Sequence, residues 1–343
     1  SRDADFGLCG RMTALEVDQC GLGASVQDTG RYGHRRYGVS TAGVMDRRAL
    51  GLANALVGNS VDKAVVELAL SGASFRVSGG QVLLSVCGPG TRLTVSGQPI
   101  PKHTSAKAVD GDIVTVGPPR NGFYSYLAIA GGFQTASVLG SRSCHRRSGI
   151  GGNLLSKGDL LPCLTTTATK SLCFPEGVNY NNDDAIGIIP GPQFDMFNEG
   201  VWSQLLSTRY KISQRSDRMG ICLIGPRLLC DKGHDIVSEG VVPGSIQVPG
   251  DGTPIVLGRD CQTVGGYPKI ATVISTDLDR IAQFSVGREF RFCIVSKKEG
   301  LDAARRFSLW QNSLKKKVRP VGELTSNLFS HNLISGVTKG DEI

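Results

Sequence analysis

Ser238–Ala271 reads SEGVVPGSIQVPGDGTPIVLGRDCQTVGGYPKIA, and its two short apolar runs decide how the rest of the chain is read. Ser245–Val248 and Pro254–Leu257 are separated by Pro249-Gly250-Asp251-Gly252, a composition that favours a tight reversal, so the stretch predicts a β-hairpin. The surrounding glycines let backbone approach a ligand or adopt positive φ. Its flanks bring Glu239, Gln247, Asp260, Gln262, Thr263, Tyr267 and Lys269 into one polar wall on a rigid sheet. Two readings of that wall stand: a ligand site, or polar groups that satisfy one another inside a glycine-rich barrel.

Working outward, the same grammar recurs. Between Ala64 and Val116 the runs VVELAL, ASFRVS, QVLLSV, TRLTVS and DIVTV are split by glycine-rich turns, the spacing of a barrel or sandwich. Before them, MDRRALGLANALV (Met45–Val57) has apolar residues at helical spacing and ends at Gly58-Asn59. The loop Gly21–Gly38 carries Asp28 and Arg31, which either bind a polar ligand or tie the loop to itself. A second basic loop, Gly140–Gly152, is either an anion grip or a solvated surface. Thr165–Asp184 is polar and Asn-rich and predicts a linker, with a boundary near residue 180. In the second half, residues 194–206 and Asp277–Phe284 predict helices, Phe290–Val295 a closing strand, and the chain beyond Lys297 a helix to about Trp310 followed by a basic tail.

Composition agrees. The chain has 343 residues, too many for one ordinary core, and 45 Gly and 15 Pro with 6% aromatics point to short strands and many turns. The expected class is mainly β with a few short helices. A net charge of +8 is concentrated after residue 296, in Lys297, Lys298, Arg305, Arg306, Lys315, Lys316, Lys317 and Arg319. Without basic residues interleaved with aromatics on the folded part, no nucleic-acid partner is expected. Ten scattered cysteines show no CxxC and no zinc spacing, so reduced thiols and no metal are expected. No apolar run of about eighteen residues suggests a membrane span, and a cytoplasmic location is expected. There is no Gly-Lys dipeptide, GxSxG, HExxH or strand-borne GxGxxG, and no Met-Lys-Met biotin-carrier site. Chemistry must then rest on carboxylates, amides, Tyr267, Lys269 and backbone donors.

VQDTGRYG, GVSTAGVMDRRALGLANALVGN, GSRS, SDRMGICLIGP and the whole of SEGVVPGSIQVPGDGTPIVLGRDCQTVGGYPKIATVIS together resemble the biotin-dependent carboxyltransferase family. That family includes the C subunit of 5-oxoprolinase, the second subunit of allophanate hydrolase, a kinase-inhibitor antagonist, and the carboxyltransferase part of urea carboxylase. The resemblance covers roughly residues 13–307. It implies two cyclophilin-like β-barrel domains, which the break near residue 180 places at 13–180 and 181–300; the remaining residues, 301–343, are read as a basic C-terminal tail, and beyond Arg306 they lie outside the resemblance. It also implies partner subunits of two types, one of the kinase-inhibitor family and one of the lactam-utilisation type.

The function expected is a component of an ATP-dependent 5-oxoprolinase that opens the lactam to glutamate, inactive on its own because the chain lacks a nucleotide loop. Asp28 and Glu239 are the expected bases, and Gln247, Gln262, Gly265 and Gly266 the oxyanion donors. Tyr267 and Lys269 complete the catalytic set, and Arg31, Asp217, Arg218 or Lys269 would grip the substrate. No covalent cofactor is expected, and ATP is used by the assembled complex. The alternatives are carboxyl transfer to urea or a similar amide, with biotin on a partner chain, and a non-enzymatic antagonist of a kinase inhibitor. Asp28 and Arg31 are expected to share a cleft with Asp217, Arg218, Gln247, Gln262, Tyr267 and Lys269.

Overall fold

The computed structural model describes residues 13–168, 170–174 and 183–322. The boundary expected near residue 180 lies outside the described residues. In the first half, two antiparallel sheets face each other. One runs in the order Leu160–Pro162, Ala14–Cys20, Ala73–Ser78, Ile113–Val116, Leu93–Val95, Gln98–Ile100; the other in the order Ser25–Gln27, Val65–Ala69, Tyr124–Ile129, Val82–Cys87, Ala106–Ala108. Leu15, Val17, Phe75, Val114, Leu84, Leu127 and Phe133 fill the space between them. Tyr124–Ile129 and Val82–Cys87 are buried on both faces, because helix α1 (Arg47–Leu56) covers the outer side of that sheet. That explains their near-continuous apolar sequences.

Asp46 starts α1 by accepting from the backbone N–H groups of Arg48 (2.8 Å) and Ala49 (3.1 Å), an N-cap of the usual kind.

The second half is a closed seven-stranded barrel: Ala185–Pro190, Lys269–Val273, Ser245–Gln247, Ile255–Leu257, Gly220–Ile224, Tyr210–Ile212, Glu289–Ile294. Glu289–Ile294 closes it by parallel pairing with Ala185–Pro190. The expected hairpin is present, with Ile246 opposite Val256 and Gln247 opposite Ile255. Its turn is held by Gly252 N–H on the Pro249 carbonyl (2.8 Å) and by Gly252 at φ +74°, where a side chain would be strained. Helices α2 (Glu199–Ser207) and α3 (Ser275–Ala282) pack on the barrel core.

Two expectations change. The helix beyond Lys297, α4, runs through Lys317 rather than ending near Trp310. It returns to the first half, where Leu314 packs into the cluster around α1. The segment read as a plain linker contains Leu172–Cys173, which pairs with Arg319–Pro320. The rest of the expected tail, 323–343, lies outside the described residues. No helix among the described residues is long and apolar enough to cross a membrane.

Candidate functional site

Ile246 and Val248 belong to the barrel core, so strand alternation turns Gln247 to the outer face. Lys269 lies opposite Gln247 across the ladder, at a register shift between Ile246 and Gln247. A two-stranded ribbon, Glu239–Gly240 paired with Val264–Gly265, folds over this face. Lys269 Nζ donates to Glu239 Oε1 at 2.5 Å, and the lysine side chain is only 3% exposed while Glu239 reaches solvent. Gln193 locks the arrangement: its amide donates to Glu239, and its carbonyl oxygen accepts from Lys269 N–H at 3.1 Å. Hydrogen bonds from Lys269 and Gln193 hold the Glu239 carboxyl below the ordinary range, so it is ionised at neutral pH.

Beside this pair, Gln247 is buried and its Nε2 donates to nothing. A buried unpaired amide N–H costs about 1–3 kcal/mol, so it is a group waiting for an acceptor. Gly265 makes that space: a Cβ there would lie 2.6 Å from Gln247 Nε2 and 3.5 Å from Gln262 Nε2. Gln247, Gln262, Gly265, Lys269 and Glu239 therefore converge, with Gln193 as the member the sequence reading missed. Gly266 accepts the Ile236 N–H through its carbonyl oxygen (2.9 Å). Tyr267 is exposed, two residues from Lys269 along the chain.

The other expected site residues are engaged elsewhere. Asp28 Oδ1 accepts from Gly30 N–H (2.8 Å), Ser141 Oγ (2.6 Å) and Ser143 Oγ (2.6 Å), and Oδ2 accepts from Arg142 N–H (2.6 Å). It braces two loops of the first half against each other. Arg31 is buried and donates to the Ser143 carbonyl; burial lowers its pKa against the pull of Asp28 and Asp260. Asp217 caps its own turn through the N–H groups of Met219 (2.8 Å) and Gly220 (3.1 Å).

Arg218 is the centre of a different structure. Its guanidinium meets both oxygens of Asp260 at 2.8 Å, the Gly43 carbonyl at 2.6 Å, and Glu67 of the first half. Burial pushes the Glu67 carboxyl up, against Arg218, and Met45 N–H supplies a further bond at 2.8 Å. Glu67 was missed because VVELAL reads as an ordinary core strand. The signal available was a single carboxylate in an otherwise apolar run, which cannot be buried without a partner.

This ion triad fastens the two halves together, and shorter links ring the Lys269 ribbon. Arg35 donates to the carbonyls of Val241 (2.5 Å) and Gln262 (2.9 Å), and Ser40 Oγ to that of Cys261 (2.8 Å). His145 Nε2 lies 3.3 Å from the Asp260 carbonyl. Loops of the first half thus border the ribbon that carries Gln262. Among the described residues no cluster of three or more His, Cys, Asp or Glu side chains is arranged to hold a metal ion, and nine cysteines are free; Cys9 lies outside the described residues.

Two β-rich halves joined by buried charge, with a lysine–carboxylate–amide cluster under a ribbon, define a two-part β protein. The chain belongs to the carboxyltransferase domain family, subdomains A and B, whose model matches residues 37–294. It is 34% identical to the 5-oxoprolinase C subunit of Escherichia coli over 84% of this chain and 94% of that protein. The Haemophilus influenzae protein of the same name is 30% identical, over 86% of this chain and 96% of its own length. The urea amidolyase of Kluyveromyces lactis superposes with a TM-score of 0.80 at 27% identity, covering 91% of this chain. This chain spans only 20% of that larger protein.

Proposed function

We propose that the chain is the C subunit of a multi-subunit 5-oxoprolinase, which opens the lactam of 5-oxoproline to glutamate with ATP used by the assembled complex. The similarity to two proteins of that name over nearly their full lengths supports this reading. The observation that carries the site is the buried, unpartnered Gln247 Nε2 beside the Lys269 ammonium.

A lactam carbonyl is a poor electrophile; transfer of a phosphoryl group from ATP to its oxygen, with ADP leaving and the lactam N–H proton given up, activates the carbon for attack by water and brings negatively charged phosphoryl oxygens to the site. Preorganised donors in a dry site stabilise such charge strongly. Gln247, Lys269 and Gln262 are placed to supply them, and Gln193 and Glu239 hold the lysine in position. Glu239, whose pKa is depressed by Lys269, is better suited to fixing that cation than to taking a proton. Asp28, with four donors already on its oxygens, acts by bracing the loops near the seam.

Partners of the kinase-inhibitor and lactam-utilisation types supply nucleotide handling, and the isolated chain is inactive. The carboxyl-transfer alternative draws on the likeness to urea amidolyase. Biotin, when bound on a partner chain, supplies a carboxyl group, and the same Gln247 and Lys269 donors fit a ureido oxygen. Assay of the complex reconstituted with its partners separates the two: ATP-dependent glutamate release from 5-oxoproline supports the hydrolase. Lys269→Ala and Gln262→Ala are expected to lower that turnover by about tenfold or more. Glutamate release by the isolated chain, or variants that lose thermal stability but keep their activity per folded molecule, would overturn the assignment.

A further inference from the structure

The ribbon over Lys269 has little of its own to hold it. Its ladder pairs Glu239 with Gly265 and Gly240 with Val264, and Val241 N–H extends it to the Thr263 carbonyl (3.1 Å). The apolar support beneath is a small cluster of Val241, Leu257 and Cys261. A two-stranded ribbon is marginal at best in water without further packing. Yet this ribbon sets the site. The Cβ position at Gly265 lies 2.6 Å from Gln247 Nε2, 3.2 Å from Val241 Cγ1 and 3.5 Å from Gln262 Nε2, so a small shift of either arm changes how the two amides face one another.

Further support comes from the first half. In the glycine-rich loop Gly21–Gly38, the turn Arg35–Tyr37 is closed by Gly38 N–H on the Arg35 carbonyl (3.0 Å), with Gly38 at φ +79°. From that turn Arg35 reaches across the seam. Its Nη2 donates to the Val241 carbonyl at 2.5 Å and to the Gln262 carbonyl at 2.9 Å, one from each arm of the ribbon. Ser40 Oγ, five residues on, donates to the neighbouring Cys261 carbonyl (2.8 Å). A guanidinium makes such charge-assisted bonds from a planar, preorganised group, so it ties the two arms at a fixed spacing.

We propose that Arg35 is a positioning residue for the Lys269 cluster: by pinning the Val241 and Gln262 carbonyls together, it holds Gln262 and Gly265 beside Gln247. The site carried by the second half is thus set by a loop of the first. Its effect on turnover rests on the function proposed above; the pinning of the ribbon does not.

Hydrogen–deuterium exchange of the full chain, followed by mass spectrometry, reads the ribbon directly. In Arg35→Ala the amides of 236–243 and 262–267 are expected to exchange about tenfold faster or more, with the hairpin 245–257 unchanged. Arg36→Ala removes the same charge from an exposed neighbour stacked on Tyr37, and is expected to change neither segment. In the complex reconstituted with its partners, Arg35→Ala is expected to lower kcat by about tenfold or more while KM stays within about threefold. Arg35→Lys, which keeps a donor, is expected to lose less. Because Arg35 acts through Gln262, adding Arg35→Ala to Gln262→Ala is expected to cost less than a further ~threefold. If Arg35→Ala does not fold, Ser40→Ala, which frees the Cys261 carbonyl, is expected to speed exchange of the same ribbon. Unchanged ribbon exchange in a folded variant overturns the proposal, as does a loss of turnover that multiplies in full with that of Gln262→Ala. A reconstituted complex that leaves 5-oxoproline intact overturns the function proposed above instead, and ribbon exchange then decides the role of Arg35.

Discussion

Replacing Arg218 by methionine removes the cation from between Glu67 and Asp260 while keeping most of the side-chain volume. Glu67 has no exposed side-chain surface and the Asp260 side chain is 9% exposed, so two carboxylates are left facing each other without compensation. Breaking a buried ion pair from one side costs about 3–5 kcal/mol. With a urea m-value of about 2–3 kcal/mol/M, the midpoint falls by about 1–2.5 M. The sign with pH follows from Glu67. Burial already raises its folded pKa above the unfolded value, and loss of Arg218 raises it further. A carboxyl raised in this way imposes no penalty below its unfolded pKa, near about 4.3, and imposes more as pH climbs through the folded value. Arg218→Met is therefore expected to lose less stability at pH 5 than at pH 8. Urea unfolding followed by tryptophan fluorescence and circular dichroism at both pH values measures this. Adding Glu67→Gln to Arg218→Met is expected to recover part of the loss. A midpoint shift that is the same at both pH values, or smaller than about 0.3 M, refutes the claim that the triad is a desolvated clamp.

Gly265→Ala is expected to reduce turnover of the assembled complex by about tenfold or more, because the new methyl occupies the space beside Gln247 Nε2; unchanged turnover in a folded variant contradicts this. Asp46 is raised from 3.8 to about 6 by burial and by Asp279, so its contribution to stability declines as pH rises from about 4 to about 6, by about 3 kcal/mol in all. Asp46→Asn should remove that slope while lowering the baseline, which a pH series of urea midpoints detects. Leu314→Ala is expected to cost about 2–5 kcal/mol, whereas Leu309→Ala, at a residue 70% exposed, should stay within about 0.5 kcal/mol. Unfolded in the absence of reductant, the protein should show ten titratable thiols, since no pair has framework spacing.

What could be read from the sequence was local. The hairpin at Ser245–Leu257 was legible because alternation and a Pro-Gly-Asp-Gly turn act within a dozen residues, and α1 because its apolar period and Gly58-Asn59 stop are contiguous. The polar wall was legible too, since Gln247, Gln262 and Lys269 sit on one hairpin and its flank. For Asp28 and Arg31 both readings stood open in the sequence, because a charged pair in a glycine loop looks the same whether it faces a ligand or another loop. Their partners, Ser141 and Ser143, lie more than a hundred residues away. Glu67 with Arg218, and Leu314 with α1, are likewise non-local. Yet two local signals for α4 were available: the Ser296–Glu299 capping box and Lys315–Lys317 in its last turn, where cations oppose the helix dipole.

The return of α4 to α1 has a consequence for synthesis. The first half presents the outer face of α1 early, but Leu314 leaves the ribosome roughly 260 residues later, about 13–50 s at typical elongation rates. Through that interval the side of α1 at Arg47, Arg48 and Gly51 lacks the residues that cover it in the finished chain, Phe307, Trp310 and Leu314. The first half is therefore completed by the last helix to be made.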